Sequence, residues 1–279
     1  MNRHTRVSFI TPTYNDEPNY LAEAVQSVAG QTYPDVEHII VDDGSTDTRA
    51  VDYVKRLGVR VIRQRNQGPA AARNTAVRAS SGDVLVLLDA DDKVSSEYAM
   101  NAVHTLEDPN VTIAYPEMRE FGAGKNVYRT TGDRSVENFF SSSGVPIGSA
   151  LRRQDYLDIG GFDETITHGF EDQEFWIRLM LMRPGVAHEM SGATFYYRVR
   201  SGSRSTVVST AEGSSQTRER AVRNALDHGY LEKLALHLWD GLDQQVQMRR
   251  AVVRDPLYLR PHAARLKVLL SSARYRFNR

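Results

Sequence analysis

The sequence contains no cysteine among its 279 residues. Disulfide bridges and thiolate metal sites are therefore excluded, which fits a reducing cytoplasm. The 35 Lys and Arg residues balance the 35 Asp and Glu residues, so no overall charge favours nucleic acid as a partner. No apolar run has the length of a transmembrane helix, and the first residues lack the apolar core of a signal peptide. We therefore expect a cytoplasmic protein that does not bind nucleic acid.

Charge is nevertheless distributed unevenly along the chain. Residues 244–279 contain nine Lys and Arg residues and one acid, which gives this segment a charge of +8 and leaves −8 on residues 1–243. A helix predicted to begin at Pro261 places Ala263, Leu266 and Leu270 on one face. Two interpretations stay open for this basic tail: docking on an anionic membrane surface or a partner, and packing on the rest of the chain. Homo-oligomer formation is also left open.

The first hundred residues alternate between strand and helix patterns. The predicted strands are 7–11, 36–43, 59–64 and 83–89, and each is followed by a segment with apolar residues at helical spacing. Such alternation predicts a mainly parallel sheet with right-handed crossovers and helices on both faces. The uninterrupted apolar run 84–88 is typical of a central strand that is covered on both faces.

Polar residues follow each of these predicted strands. The segments are "TPTYND", "DDGSTD", "QRNQG" and "DADD". Ligands of open α/β sheets bind beyond the carboxyl ends of the strands, and in a parallel sheet these ends share one edge. The sequence therefore predicts a functional site at this edge.

The fourth segment contains three carboxylates, Asp89, Asp91 and Asp92, directly after the buried run. They either cap the next helix or are neutralised by a cation. Mg²⁺ and Mn²⁺ suit such a cluster, because these hard cations accept one or two carboxylates and complete their shell with phosphate oxygens and water.

Two residues near the other strand ends have alternative interpretations. Asp43 either accepts hydrogen bonds within its turn or accepts the ring N–H of a nucleobase. Arg73, on the helix that Pro69 opens, is either a surface arginine or a partner for phosphate or for the carboxylate cluster.

The stretch "GFEDQEFWIRL" predicts a helix that carries Asp172 in its first turn. Asp172 shares a stripe with Phe175 and Trp176, whereas Glu171 is expected to point outward on a stripe with a Glu174–Arg178 pair. Asp172 is either a partner of the helix dipole or a general base whose basicity is tuned by partial burial.

Taken together, these motifs resemble a family 2 glycosyltransferase of the GT-A fold, which is Rossmann-like. The matching stretches are "VSFITPTYN", "VDDGSTD", "NQGPAAARNTA", "SGDVLVLLDADD", "IGGFDE" and "GFEDQEFWIRL", in the order of the family. They cover roughly residues 6–205. The resemblance implies a GT-A domain over 1–205, with a nucleotide-sugar-binding half (1–109) and an acceptor-binding half (110–205), followed by a helical, basic extension over 206–279.

The resemblance also implies roles for individual residues. Asp172 would be the base, Asp89 and Asp91 would be the DxD pair at ribose and Mn²⁺ or Mg²⁺, and the other donor-binding residues would be Pro12, Tyr14, Asp43, Asn66 and Arg73. Such enzymes invert the anomeric carbon by direct displacement. The implied activity is the transfer of a hexose from a nucleotide sugar, with UDP as the expected nucleotide, to a hydroxyl of a glycan or of a lipid-linked acceptor.

One departure concerns the Tyr-Arg-x-His pattern that the family often carries. Here "FYYRVRSGSRS" places Arg200 at the histidine position, and arginine cannot ligate a cation. Arg200 would instead bind the diphosphate, which leaves a third protein ligand of the metal unassigned. His168 is expected to be a surface histidine.

Two other functions are weighed against this one. A dinucleotide-dependent oxidoreductase needs a glycine-rich fingerprint after the first strand, and residues 11–15 read Thr-Pro-Thr-Tyr-Asn instead. A catalytically inactive nucleotide-sugar- or carbohydrate-binding relative would have lost the DxD pair or the base. Because Asp91 and Asp172 are both present, an active enzyme is favoured.

Overall fold

In the computed structural model, the residues described are 5–56, 58–128, 133–141, 145–166, 169–183, 185–200, 217 and 219–224. The strands are β1 (Val7–Thr13), β2 (Val36–Asp42), β3 (Arg60–Arg63), β4 (Val84–Leu87), β5 (Lys93–Val94), β6 (Val111–Gly122), β7 (Val127–Tyr128), β8 (Ala150–Arg152) and β9 (Val186–Val199). The helices are α1 (Pro18–Ala29), α2 (Arg49–Arg56), α3 (Pro69–Ala79), α4 (Tyr98–Leu106), α5 (Val136–Ser141), α6 (Arg153–Asp158) and α7 (Glu171–Met182).

The strands of the described part form one mixed sheet in the order β3-β2-β1-β4-β8-β6-β9-β5, with β7 paired to β6. The first four of these strands are parallel to one another. Strand β8 runs antiparallel to both β4 and β6 and so joins this parallel half of the sheet to the second half. The prediction of a mainly parallel α/β sheet is confirmed for residues 7–87.

The core lies on both faces of this sheet. Strand β4 is completely buried, and β1 and the end of β2 are nearly so. Helix α3 packs its alanine-rich surface against β1 and β2. Small side chains let this helix approach the sheet closely, which places its first turn beside the strand ends.

The chain divides into two compact units, residues 1–234 and 235–279. Within the first unit, the short stretch around Ala221 packs on the core: Ala221 is fully buried, and Arg220 forms an ion pair with Asp163 at 2.8 Å. The boundary predicted near 205 and the whole basic tail, residues 244–279, lie outside the described residues. No helix within the described ranges is both long and apolar enough to cross a bilayer.

Candidate active site

The ends of β1 and β2 are tied together by Asn15, which has a left-handed backbone with φ of 52°. Its backbone N–H donates to Ser45 Oγ at 3.0 Å, and its Oδ1 accepts the backbone N–H groups of Thr46 and Asp47, both at 2.9 Å. Asparagine tolerates this conformation better than most residues with a Cβ. The polar segments after the first two strands therefore form one connected surface at the predicted edge.

Asp43 holds the segment that follows β3. Its Oδ1 accepts hydrogen bonds from the side chain of Gln64 at 2.8 Å and from the backbone of Gln67 at 2.9 Å, and its Oδ2 accepts one from Gly68 at 2.7 Å. Gly44 makes this packing possible: it has φ of +79°, and a Cβ there would lie 2.8 Å from the backbone nitrogen of Asn66. Asp43 thus organises a neighbouring segment and not its own turn.

Three further residues expected to bind the donor lie along the same edge. Pro12 is half-buried in β1 opposite Val41 of β2. The side chains of Tyr14 and Asn66 are exposed, with 47% of the Tyr14 surface accessible. An exposed aromatic ring beside a polar loop can cover the face of a flat ligand.

Arg73 is almost completely buried, so its interpretation as a surface arginine is wrong. Its guanidinium donates to Asp89 at 2.6 Å and to Glu171 at 3.1 Å, and it lies 5.3 Å from the ring centroid of Phe162. Burial alone would lower the pKa of Arg73, but Asp89 and Glu171 reverse this effect and raise it. Arg73 therefore links the end of β4 to the start of α7.

The "IGGFDE" segment is the scaffold for this link. Asn74, next to Arg73, donates to the carbonyl of Phe162 at 3.0 Å and accepts its N–H at 2.9 Å. Gly161 has φ of +74°, and a Cβ there would lie 2.5 Å from Asn74 Oδ1. The ring of Phe162 then stacks on Phe175 of α7 with centroids 4.3 Å apart. A glycine is required at this close approach.

The carboxylates after β4 are in different environments. Burial raises the pKa of Asp91 to about 6, repulsion from Asp89 and Asp16 adds to the shift, and Arg200 opposes it from 3.1 Å. Asp92 is buried, accepts the backbone N–H of Arg198 at 2.8 Å, and has a pKa raised well above the usual value by burial and by Asp91. Asp92 is thus structural, and Asp89 and Asp91 face the edge.

A divalent cation fits Asp89 and Asp91 only with ligands from elsewhere. In the described part of the chain, no group of three or more His, Asp or Glu side chains is arranged to hold a metal ion. Both carboxylates are partly exposed, with 33% and 20% of their side-chain surfaces accessible. Two accessible carboxylates suit Mg²⁺ or Mn²⁺ that completes its shell with substrate phosphate oxygens and water.

Helix α7 does not have the exposed stripe expected from the sequence. Every residue from Glu171 to Met182 is buried except Asp172, which is half-buried. The prediction that Glu171 points outward is therefore wrong: Arg73 neutralises this carboxylate in the interior. The expected Glu174–Arg178 pair is present at 2.7 Å, but it too is buried, because Arg178 also donates to the carbonyls of Ile159 and Gly161.

Asp172 is thus the one accessible residue of α7, and it lies near enough to Arg73 and Asp89 to interact electrostatically with both. It follows Phe170, a bulky residue in the left-handed region with φ of 63°, which sets the direction in which α7 begins. Burial raises the pKa of Asp172 to about 6, the adjacent Glu171 raises it further, and Arg73 opposes the shift. A carboxyl with this pKa is ionised near neutrality and remains a better base than an ordinary aspartate.

Sequence reasoning missed three residues of the site: Asp16, Glu171 and Arg198. Asp16 accepts hydrogen bonds from Thr13 and Tyr14, and burial raises its pKa. Arg198 donates to the backbone carbonyl of Asp91 at 2.8 Å. The signal for Arg198 was its spacing of two from Arg200, a spacing at which side chains share one side wherever the backbone is extended. The pairing of Glu171 had no local signal.

Comparison with protein families assigns this architecture. The model described as "Glycosyl transferase family 2" matches residues 8–169, which is more than half of the chain. The chain belongs to glycosyltransferase family 2. The match includes the four strand ends, the DxD pair and the "IGGFDE" segment, and it ends just before Glu171.

Curated relatives of this family 2 member are themselves described as glycosyltransferases. EpsJ of Bacillus subtilis, called uncharacterized, is 36% identical over 132 residues, which cover 46% of this chain and 36% of EpsJ. An uncharacterized glycosyltransferase of Haemophilus influenzae is 32% identical over 184 residues, which cover 62% of each chain. The chain therefore spans between about a third and three fifths of the length of these two relatives.

Solved structures share the fold of this family 2 member. S. aureus TarS 1-349 in complex with UDP-GlcNAc matches with a TM-score of 0.65 and 21% identity, over 84% of this chain and 71% of TarS 1-349. GalNAc-T7 with UDP, GalNAc and Mn²⁺ matches with a TM-score of 0.62 and 18% identity, over 80% and 48% of the two chains. At these identities the likeness establishes the GT-A fold.

The prediction that His168 is a surface histidine concerns a position outside the described residues.

Proposed function

We propose that this family 2 member is an inverting, metal-dependent glycosyltransferase that moves a hexose from a UDP-sugar to a hydroxyl of a glycan or a lipid-linked acceptor. The observation that carries this proposal is the contact of Arg73 with both Asp89 and Glu171. It brings the carboxylates after β4 and the Asp172 carboxyl to the same edge of the sheet. Inverting transfer requires the carboxylates that bind the donor diphosphate and the carboxyl that acts as base to lie on opposite sides of the transferred sugar.

The donor side consists of the β1–β3 ends and the DxD pair. Tyr14 is exposed and free to cover the nucleobase, and Asp43 stands at the end of β2, where a ring N–H of uracil would approach. Asp43 already accepts three hydrogen bonds, so a further donor would share these oxygens. Pro12, Asn66 and Arg200 complete the donor side in this proposal.

Asp89 and Asp91 would hold Mn²⁺ or Mg²⁺ together with diphosphate oxygens. When bound, the cation supplies charge neutralisation of the departing diphosphate. Arg200 adds a guanidinium, which suits phosphate oxygens because its N–H groups form a planar fork. The chain contributes fixed positive charge at this point through Arg73, which keeps Asp89 oriented.

On the acceptor side, Asp172 takes the proton. In this mechanism the acceptor hydroxyl loses its proton to a carboxylate oxygen of Asp172 as the acceptor oxygen attacks the anomeric carbon. The bond from that carbon to the diphosphate breaks from the opposite face, so nucleoside diphosphate leaves and the configuration inverts. Arg73 and Glu171 position Asp172 without contacting the reacting atoms.

The choice of UDP has support in the structural neighbours. TarS 1-349 has been solved in complex with UDP-GlcNAc and with UDP, and GalNAc-T7 with UDP, GalNAc and Mn²⁺. A thermal-shift screen of nucleotide sugars with Mn²⁺ tests this choice, because a ligand that binds the folded state raises the melting temperature by mass action. Stabilisation by a GDP- or CMP-sugar alone would contradict the UDP assignment.

Release of nucleoside diphosphate separates an enzyme from an inactive binding relative. The active enzyme hydrolyses the donor slowly or transfers the sugar, and both reactions release UDP. A protein that is stabilised by the donor but releases no UDP with any acceptor would be the inactive relative.

In the same proposal, the basic segment 244–279 attaches the enzyme to an anionic membrane surface that carries a lipid-linked acceptor.

A further inference from the structure

Two arginines of one strand end approach the carboxylates after β4 from the same side. Arg198 belongs to β9, and Arg200 follows the end of this strand. Both guanidinium groups lie near the ring of Tyr20, at 4.0 Å from its centroid for Arg198 and 5.8 Å for Arg200. The two residues have the same chemistry, and their surroundings differ sharply.

Arg198 is fixed in place. Its guanidinium carbon lies 4.0 Å from the ring centroid of Tyr20 and 4.2 Å from that of Phe121, so the group is flanked by two aromatic rings. Its Nε donates to the carbonyl of Asp91 at 2.8 Å, and its Nη2 lies 3.1 Å from a carboxylate oxygen of Glu23. Only 9% of this side chain is exposed. Arg198 therefore holds the backbone that carries Asp91.

Arg200 is held much more loosely. Its Nη2 forms an ion pair with Asp91 Oδ2 at 3.1 Å, and 39% of its side chain is exposed. Its guanidinium lies 5.8 Å from the ring centroid of Tyr20, near the outer limit for an attractive contact. An ion pair with this exposure is weak, so its rupture costs little free energy.

Each carboxylate of the DxD pair consequently has its own arginine. Arg73 contacts Asp89 at 2.6 Å with only 4% of its side chain exposed, whereas Arg200 contacts Asp91 from the solvent side. Arg200 contacts Oδ2 of Asp91, so a cation that binds this carboxylate meets a positive charge beside its ligand. Because arginine carries a permanent positive charge and no lone pair, it repels a metal ion and cannot join its ligands.

We propose that Arg200 competes with the divalent cation for Asp91 in the donor-free protein and moves to the donor diphosphate when the donor binds. The exchange makes the cation and the nucleotide bind as a coupled pair. Diphosphate offers the guanidinium more negative charge than one carboxylate does, and phosphate matches its planar fork. The inference rests on the proposed function, because it requires a diphosphate ligand at this edge.

The first arm of the test uses Mn²⁺ alone. Mn²⁺ binding to the full-length protein without nucleotide is measured by electron paramagnetic resonance for the wild type and for Arg200→Gln. Loss of the competitor should tighten Mn²⁺ binding about three- to tenfold, the scale of a partly exposed ion pair. Arg49→Gln is the matched control, because Arg49, the first residue of α2, is an exposed arginine that also pairs with an aspartate, Asp47.

The second arm repeats the Mn²⁺ titration with saturating UDP. In the wild type, UDP should strengthen Mn²⁺ binding strongly, and thermodynamic linkage requires that Mn²⁺ strengthen UDP binding by the same factor. In Arg200→Gln this factor should fall by about tenfold, since the variant has no competitor to remove and no guanidinium for the diphosphate. The Arg49→Gln control should keep the wild-type factor.

The outcomes separate the inference from the proposed function. Unchanged or weaker Mn²⁺ binding by Arg200→Gln without nucleotide overturns the competition, even if UDP binds normally. Equal UDP binding with and without Mn²⁺ in the wild type also overturns it, because Arg200 would then replace the cation outright. If UDP binds neither protein under any condition while the Mn²⁺ arm gives the expected tightening, the donor assignment is at fault and the diphosphate step falls with it.

Discussion

Glu171 and Asp172 are adjacent in sequence but occupy different environments: Glu171 is buried against Arg73 at 3.1 Å, and Asp172 is half-buried at the edge of the sheet. The buried carboxylate fixes the position of the first turn of α7. In the proposed mechanism, the accessible one meets the acceptor hydroxyl. This division of roles determines which substitutions test the mechanism.

Asp172→Asn should abolish transfer with little effect on the donor. The amide keeps the shape of the side chain and cannot take a proton, so transfer should fall by roughly 10²–10⁴ while donor affinity stays within a few-fold. Single-turnover transfer and calorimetric donor binding measure the two effects. The control is Asp52→Asn, an identical change at an exposed position of α2.

Near-normal transfer by Asp172→Asn would mean that another group in the cleft is the base. Glu171→Gln does not serve as a neutral control here, because it removes the charge that Arg73 pairs with in the interior. We expect it to lower both stability and transfer.

Transfer should increase with pH through the titration of Asp172. Its pKa is raised to about 6, and the base must be ionised to accept a proton. The kcat/KM of the wild type should therefore fall below about pH 6 and level off above it. A pH profile between 5 and 8 measures this at saturating Mn²⁺, which keeps Asp91 ionised although its pKa is also raised to about 6. The residual activity of Asp172→Asn should then lack the step. A wild-type profile that is flat across this range would contradict the role of Asp172.

The raised pKa of Asp172 also affects the free energy of unfolding, which should decrease as the pH rises, whereas transfer increases. A raised carboxyl pKa means that the folded state binds the proton more tightly than the unfolded chain, whose aspartates titrate near 3.9. The contribution of Asp172 is therefore largest at about pH 4 and is lost as the pH rises through about 6. Urea unfolding measures this: the free energy of unfolding should differ less between pH 5 and pH 7 in Asp172→Asn than in the wild type. An unchanged difference would show that Asp172 titrates normally.

Asp91→Asn should remove the dependence of nucleotide binding on the divalent cation. Without the carboxylate, the cation loses a ligand that the diphosphate does not replace. Calorimetry of UDP binding with Mn²⁺ and with a chelator measures the dependence. The wild type should bind much more tightly with Mn²⁺, and the variant should bind equally weakly in both. Metal-independent binding by both proteins would argue against the DxD assignment.

Arg178→Met should destabilise the fold by about 3–5 kcal/mol, because it leaves the Glu174 carboxylate buried without its partner. It also removes the hydrogen bonds to Ile159 and Gly161 that hold the "IGGFDE" segment. Urea unfolding measures the loss. Arg78→Met is the matched control: Arg78 is 63% exposed and lies 3.9 Å from Glu164, so its removal should cost less than about 1 kcal/mol. Similar losses for the two variants would contradict this ranking.

The basic tail should attach the protein to anionic vesicles. A full-length variant with Arg249, Arg250, Arg274 and Arg276 replaced by Gln loses half of the segment's +8 charge. Flotation with anionic vesicles should recover the wild type and much less of the variant, since each basic residue near the surface contributes about 1 kcal/mol. Neutral vesicles are the control. Equal recovery of both proteins with anionic lipid would remove the membrane proposal.

The sequence determined the parallel half of the sheet and the edge that carries the candidate site. Residues 7–87 alternate strands and helices with clear periodicity, and parallel strands necessarily bring their carboxyl ends to one edge. The positions of Asp43, Asp89 and Asp91 follow from this local pattern. These features are predictable because each depends on neighbours within a few residues of the chain.

The tertiary structure decided which side chains of that edge are buried and which are free. The burial of Glu171 depends on Arg73, 98 residues earlier, and helical spacing cannot report such a partner. Helix α7 is surrounded by protein. Apart from Asp172, its charged residues are buried, and each is neutralised there by an ion-pair partner. They do not form a stripe that faces water. The contact of Arg200 with Asp91 likewise depends on the pairing of β9 with β5, the short strand that directly follows the carboxylates. Long-range pairing of charges sets these environments, and it leaves no periodic trace in the sequence.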